Sequence, residues 1–205
     1  MHWELLNIIG TIAFAMSGLI VALEEKYDLM GVYVLGFAAA FGGGAVRNLL
    51  LGIPVSALWE QGPLFIIAFI VMTIAFFTPR LWHHYWKKWG FFFDAIGLSA
   101  FAIQGALFAV DMGHPTSAVI AAAVLTGTGG GIIRDVLAGR KPLVLRKEIY
   151  IVWAVFGGFF IGIGLVNSSW SLILLFISII LLRMLSVNYN WKLPVHISHD
   201  KSASL

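Results

Sequence analysis

The sequence predicts an all-α polytopic membrane protein, with seven transmembrane helices arranged as two inverted three-helix repeats and one C-terminal helix. Composition, hydropathy and an internal repeat carry this prediction. Of 205 residues, 60% are hydrophobic and only 11% charged, against roughly 45–50% and about 25% in soluble domains. Mean hydropathy is +0.93, so the chain has too little polar surface to cover itself in water and takes lipid as its solvent. The absence of Cys excludes disulfide frameworks, thiolate metal sites and Cys nucleophiles.

A helix needs about 20 mainly apolar residues to cross a bilayer. Cutting the chain at its charged and turn-forming clusters leaves seven pieces long enough, at about 5–23, 29–52, 63–79, 91–110, 116–139, 149–166 and 170–187. Between them lie Glu24 to Asp28, Pro54 to Gly62, Arg80 to Trp89, Asp111 to Pro115, Arg140 to Lys147 and Asn167 to Ser169, all read as loops. Residues 1–187 form one transmembrane domain, and 188–205 a cytoplasmic tail. The first span is read as a helix rather than a cleaved signal, because Met1 to Glu4 carry no Lys or Arg.

Seven crossings place the termini on opposite sides. Lys26, Arg80, Lys87, Lys88, Arg140, Lys141, Arg146, Lys147, Arg183, Lys192 and Lys201 all fall on one side, and the loops of the other side have no basic residue. The excess of Lys and Arg marks the cytoplasmic face, so the N-terminus is expected outside a plasma membrane and the C-terminus inside. Tryptophans near the span ends read as interfacial anchors. His83 and His84, on a loop without a nearby carboxylate, read as solvated rather than metal-binding. Basic residues scattered between apolar runs do not form a nucleic-acid surface.

The chain aligns with itself at an offset of 87 residues, the separation of Arg47 and Arg134. Gly10 falls on Gly97, Ala13 to Ala15 on Ala100 to Ala102, Gly18 on Gly105, and Gly52 on Gly139; Asn7 meets Asp94. Repeat one runs over about 5–79 and repeat two over about 91–166, with the helix at 170–187 outside both. Three crossings per copy force the second copy to enter from the opposite face, the inverted arrangement common among transporters.

Each copy's second span carries a glycine triplet followed by an arginine: Gly42, Gly43, Gly44, Arg47, Asn48 and Gly129, Gly130, Gly131, Arg134, Asp135. Three consecutive glycines weaken a helix and bare its carbonyls. Within lipid depth, such a break is tolerated where it lines a wet cavity or is buried in protein. The reading is therefore a break pointing inward and lining a path, with a packing notch as the plainer alternative. An arginine at membrane depth costs at least ~2.5 kcal/mol on insertion scales and needs a partner or water. Freed carbonyls, Asp135 or an anionic ligand are the candidate partners, and snorkelling the alternative. Arg134 is expected to bond carbonyls near the break while Asp135 lines a vestibule, since adjacent helical residues do not face one another. Inversion would place Arg47 toward the outer half and Arg134 toward the cytoplasmic half. Asn7 and Asp94 read as helix-start residues. No nucleophile has a base in reach, and no nucleotide, zinc or hydrolase motif is present, so the protein is read as neither an enzyme nor a cofactor carrier.

The doubled Gly-Gly-Gly-x-x-Arg-Asn/Asp element, the three-plus-three-plus-one spans and the length together resemble the prokaryotic trimeric intracellular cation (TRIC) channels, whose repeat is also named a glycine-transporter-like domain. The resemblance implies a homotrimer in lipid, each protomer with an hourglass pore for monovalent cations such as potassium. That pore would be lined by the second and fifth spans at Gly42, Gly43, Gly44, Arg47, Asn48, Gly129, Gly130, Gly131, Arg134 and Asp135. Asn48 departs from the Asp that the family often has there, which removes a negative charge from the cation path. The alternative function is a secondary carrier of a small zwitterion such as glycine, which two arginines would suit.

Overall fold

The computed structural model describes residues 2–78, 86–145 and 149–194. Among the described residues it contains seven α-helices: α1 (His2–Glu24), α2 (Leu29–Leu51), α3 (Gly62–Phe77), α4 (Trp86–Asp111), α5 (Thr116–Leu137), α6 (Ile151–Gly162) and α7 (Ser169–Asn188). Among the described residues, six helical stretches are long and apolar enough to cross a membrane. The seventh, α6, has 12 residues, about 18 Å at the helical rise. The run read as a span from 149 to 166 is cut by Gly164, which turns the chain at φ 75°. The Pro54 to Gly62 loop is also more ordered than expected, being a 3-10 helix from Val55 to Gln61. His83, His84, Arg80, Trp82, Arg146, Lys147 and Lys201 lie outside the described residues.

Helices α1 and α4 form the centre, with 72% of each span buried against 22% for α3 and α7. They pack on each other, α2 packs on α5, and α7 lies against α4 and α6. The glycines explain the closeness. A Cβ on Gly10 would meet the Phe101 ring at 2.8 Å, and one on Gly97 would strike the Phe14 ring; these are the same two contacts exchanged between the copies. Pairing 10 with 101 and 14 with 97 also means that α1 and α4 run antiparallel there. The α1–α2 contact of Gly18 with the Leu35 carbonyl recurs in α4–α5 as Gly105 with the Ala122 carbonyl.

Helix ends repeat as well. Both α2 and α5 finish on a left-handed glycine, Gly52 at φ 70° and Gly139 at φ 68°. In each, the next residue's N–H returns to a carbonyl five residues back: Ile53 to Asn48 at 2.9 Å and Arg140 to Asp135 at 2.8 Å. This is the glycine-terminated stop in which the last carbonyls find donors. Helix α2 starts at Asp28, whose carboxylate accepts from the Gly31 N–H at 2.8 Å. Helix α7 starts at a Ser168–Ser171 capping box. Beyond the spans, Arg140 donates to Glu24 at 2.6 Å and to Glu25, tying the end of α1 to the turn after α5. Partial burial acts to lower the Arg140 pKa, but these bonds win and hold it above its ordinary value.

Candidate functional site

The site is the crossing of α2 and α5, and it begins with the glycines. Both helices continue without interruption through their triplets, so the expected break is absent. The missing side chains are used for approach instead. A Cβ on Gly43 would fall inside the contact radius of the Thr126 carbonyl oxygen, and one on Gly130 inside that of Ala39. Residues 39 and 126 are themselves 87 apart, so the clash is again exchanged between the copies, and its register makes α2 and α5 antiparallel. Backbone meets backbone here, which only glycine permits. Close helix packing compensates for the helix propensity that the triplets lack.

The third glycine of each triplet has another neighbour. A Cβ on Gly44 would lie 3.9 Å from the Arg47 Nη2, and one on Gly131 would lie 3.8 Å from the Arg134 Nη2. Helical side chains lean toward the N-terminus, so each guanidinium folds back over the glycine three residues before it. Since the helices are antiparallel and each Arg lies beyond the crossing on its own helix, the two guanidiniums sit on opposite sides of it.

Arg134 is 1% exposed and held by charge. Its Nη1 donates to Asp94 Oδ1 at 2.9 Å and to the Ser17 hydroxyl. Its Nε donates to Asp135 Oδ1 at 2.8 Å, and Nη2 lies 2.7 Å from the same oxygen. Asp135, 2% exposed, uses Oδ2 to accept the Leu143 N–H at 2.9 Å. The expected split, with Arg134 on carbonyls and Asp135 facing a vestibule, is therefore not found. An arginine stem is long enough to curl onto the next residue's carboxylate, and burial makes that pairing compulsory. Asp94 is no helix-start residue either: it lies well inside α4, buried, as the second counter-ion. A crevice too narrow to hold a water molecule runs beside the cluster, bordered by Thr128, Arg134, Asp135, Leu143 and Tyr150. The Arg183 guanidinium stacks on the Tyr150 ring, 4.5 Å from its centroid. Arg183, inside the seventh span as expected, is fully buried within α7 rather than exposed on the basic face.

Arg47 is 4% exposed, and its partners are neutral. Asn48 Oδ1 accepts from Nε at 3.1 Å and from Nη2 at 2.9 Å, and Gln104 Oε1 accepts from Nη1 at 3.4 Å. The guanidinium also lies 4.0 Å over the Phe108 ring, a cation–π contact. Gln104 is the repeat partner of Ser17, so each arginine reaches across to the same position of the other copy. Asn48 donates from Nδ2 to the Pro54 carbonyl at 3.5 Å, whereas Asp135 accepts from an N–H. The loop after α2 offers an acceptor and the loop after α5 a donor, which accounts for amide at one position and carboxylate at the other.

The structure thus brings Gly42, Gly43, Gly44, Arg47 and Asn48 against Gly129, Gly130, Gly131, Arg134 and Asp135. Sequence reasoning missed Ser17, Asp94, Gln104 and Tyr150 as partners. The signal for three of them was present: each is a polar residue inside an apolar run, and Ser17 and Gln104 occupy the same repeat position.

This is the architecture of a helical membrane protein built around two buried, repeat-related arginine clusters. A family model described as glycine transporter matches residues 4–80 and 91–165, which are the two copies. The chain is 63% identical over 194 residues to the UPF0126 membrane protein YvgT of Bacillus subtilis, covering 95% of this chain and 96% of that one. Among solved structures it is similar to a prokaryotic TRIC channel crystallised in 0.5 M KCl, at 36% identity and TM-score 0.86 over 93% of this chain and 98% of that one. The TRIC orthologue from Rhodobacter sphaeroides matches at 33% identity and TM-score 0.81, over 92% and 98%. The chain belongs to the glycine-transporter family of membrane proteins, with prokaryotic TRIC channels as its structural neighbours.

Proposed function

We propose that this protein is a monovalent-cation channel of the plasma membrane, acting as a homotrimer with one potassium-type pore per protomer. The carrying observation is the pair of buried arginines on opposite sides of an antiparallel α2–α5 crossing, each held by side chains of the other copy. Arginines that snorkelled to the interface would not be buried to this degree. Similarity across nearly the whole chain to solved proteins named as cation channels supports the same reading. The pore follows the crossing, past Gly42, Gly43, Gly44, Arg47, Asn48, Gly129, Gly130, Gly131, Arg134 and Asp135, and the tight backbone contact at Gly43 and Gly130 is its closed state. Opening separates α2 from α5.

The exchanged contacts, Gly10 on Phe101 against Gly97 on Phe14 and Gly43 on Thr126 against Gly130 on Ala39, are the mark of a two-fold relation. They support two inverted repeats, about 5–79 and 91–166, within one domain that α7 completes. The N-terminus lies outside and the tail after 187 in the cytoplasm, by the Lys and Arg asymmetry, which survives the removal of Arg183 from the count. A second reading, a carrier of a zwitterion such as glycine, is favoured by one observation: Arg47 has no carboxylate within ion-pair distance among the described residues. Reconstitution in planar bilayers under a potassium gradient separates the two. Unitary currents that reverse near the potassium potential are expected; glycine counterflow without such currents would replace the channel by the carrier.

A further inference from the structure

We infer that Asn48 sets how the path treats charge: it leaves the Arg47 side a net positive barrier that limits cation passage and makes conduction unequal in the two directions. This rests on the channel reading. On α5 the guanidinium is offset at contact by Asp94 and Asp135. On α2 the same group meets, among the described residues, amide oxygens and a ring but no carboxylate, so its full charge remains. A fixed cation in a low-dielectric passage repels permeating cations. Because the two sides of the crossing differ, the barrier lies off-centre, and ions arriving from opposite faces cross different fractions of the applied voltage before meeting it. Current–voltage curves in symmetric solutions are then asymmetric.

The inequality is chosen by a single side chain. Asp135 satisfies both its arginine and the Leu143 N–H. A carboxylate at position 48 would satisfy Arg47 but face the Pro54 carbonyl, which the present amide serves as donor. Local loop chemistry therefore selects Asn, and the uncompensated charge is the consequence for permeation.

The test is unitary recording of the full-length protein in planar bilayers with symmetric potassium chloride. It compares wild type with Asn48→Asp, which supplies the counter-ion, and Arg47→Gln, which deletes the charge. Asn48→Asp is nearly isosteric whereas Arg47→Gln shortens the side chain, and what the two share is the loss of one positive charge from the site. At about 0.1 M salt, where the Debye length is about 10 Å, each should raise unitary conductance at least about twofold; at about 1 M the gain should vanish. Both should bring the ratio of currents at opposite voltages toward one. Wild-type currents that are symmetric, or that neither variant changes at low salt, overturn the inference and leave the channel standing. Absence of any wild-type potassium current overturns the channel and this inference together.

Discussion

Arg134 donates to two carboxylates and a hydroxyl, Arg47 to two amide oxygens, although both stand three residues after a glycine triplet and both reach the same position of the opposite copy. The difference follows from the neighbours each helix end must serve. After α5 the chain turns back with the Leu143 N–H pointing at the site, and a carboxylate answers it. After α2 the Pro54 carbonyl is presented instead, and an amide answers it. A duplicated motif keeps the arginine and the glycine notch because packing needs both. The residue beside the arginine is left to the local loop. One cluster therefore becomes an ion-paired lock and the other an amide cradle.

The comparison breaks most visibly at Asp94. Removing Asp94 strips the buried Arg134 of one of its two counter-ions and leaves its Nη1 short of an acceptor, at up to about 3–5 kcal/mol. Asp94→Ala should accordingly give the largest loss of thermal stability in detergent, and a drop no greater than that of an exposed substitution would mean the cluster is wet rather than locked. Next comes the notch itself. Gly130→Ala forces the Ala39 carbonyl away, with overpacking at about 1–3 kcal/mol, and Gly43→Ala should match it because the contact is exchanged between copies. Unequal losses would show that the crossing is not two-fold. In the amide cradle, Gln104→Leu removes one long hydrogen bond to a charged group, about 1.5 kcal/mol, so its effect should fall below that of Asp94→Ala in the same assay. The smallest effect belongs to Arg140→Ala. Its pairs with Glu24 and Glu25 are partly solvent-exposed, worth at most about 1 kcal/mol and weaker in high salt.

Much of the fold was legible because lipid leaves few options. Apolar runs cut at charged clusters located every helix to within a few residues, except α6, whose composition gave no sign that the chain would turn at Gly164. The repeat was equally visible, since Gly10, Gly43, Gly97 and Gly130 are spaced by the contacts they make. What the glycines do was harder to read. Helix propensity argued for a break, but propensity is outweighed where two backbones pack directly, and α2 and α5 stay helical. Asp94 was misread for a related reason. As a polar residue near the start of an apolar run it resembles a cap, and only the tertiary approach of α4 to α5 reveals its partner.

The central claim is that permeating ions pass along the α2–α5 crossing, beside the two guanidiniums. The chain has no Cys, so a single introduced thiol is the sole target of a cationic thiol reagent, which reacts with thiolate exposed to water. Gly44 and Gly131 accept a Cβ at ordinary contact distance, 3.4 Å from Leu58 and from the Tyr150 hydroxyl respectively. Ile74, on α3, is 60% exposed on the outer face. Potassium currents of the Gly44→Cys and Gly131→Cys proteins should be blocked by the reagent, and those of Ile74→Cys left unchanged. Full modification of both glycine positions with undiminished current would contradict the account, because the ions would then be passing elsewhere.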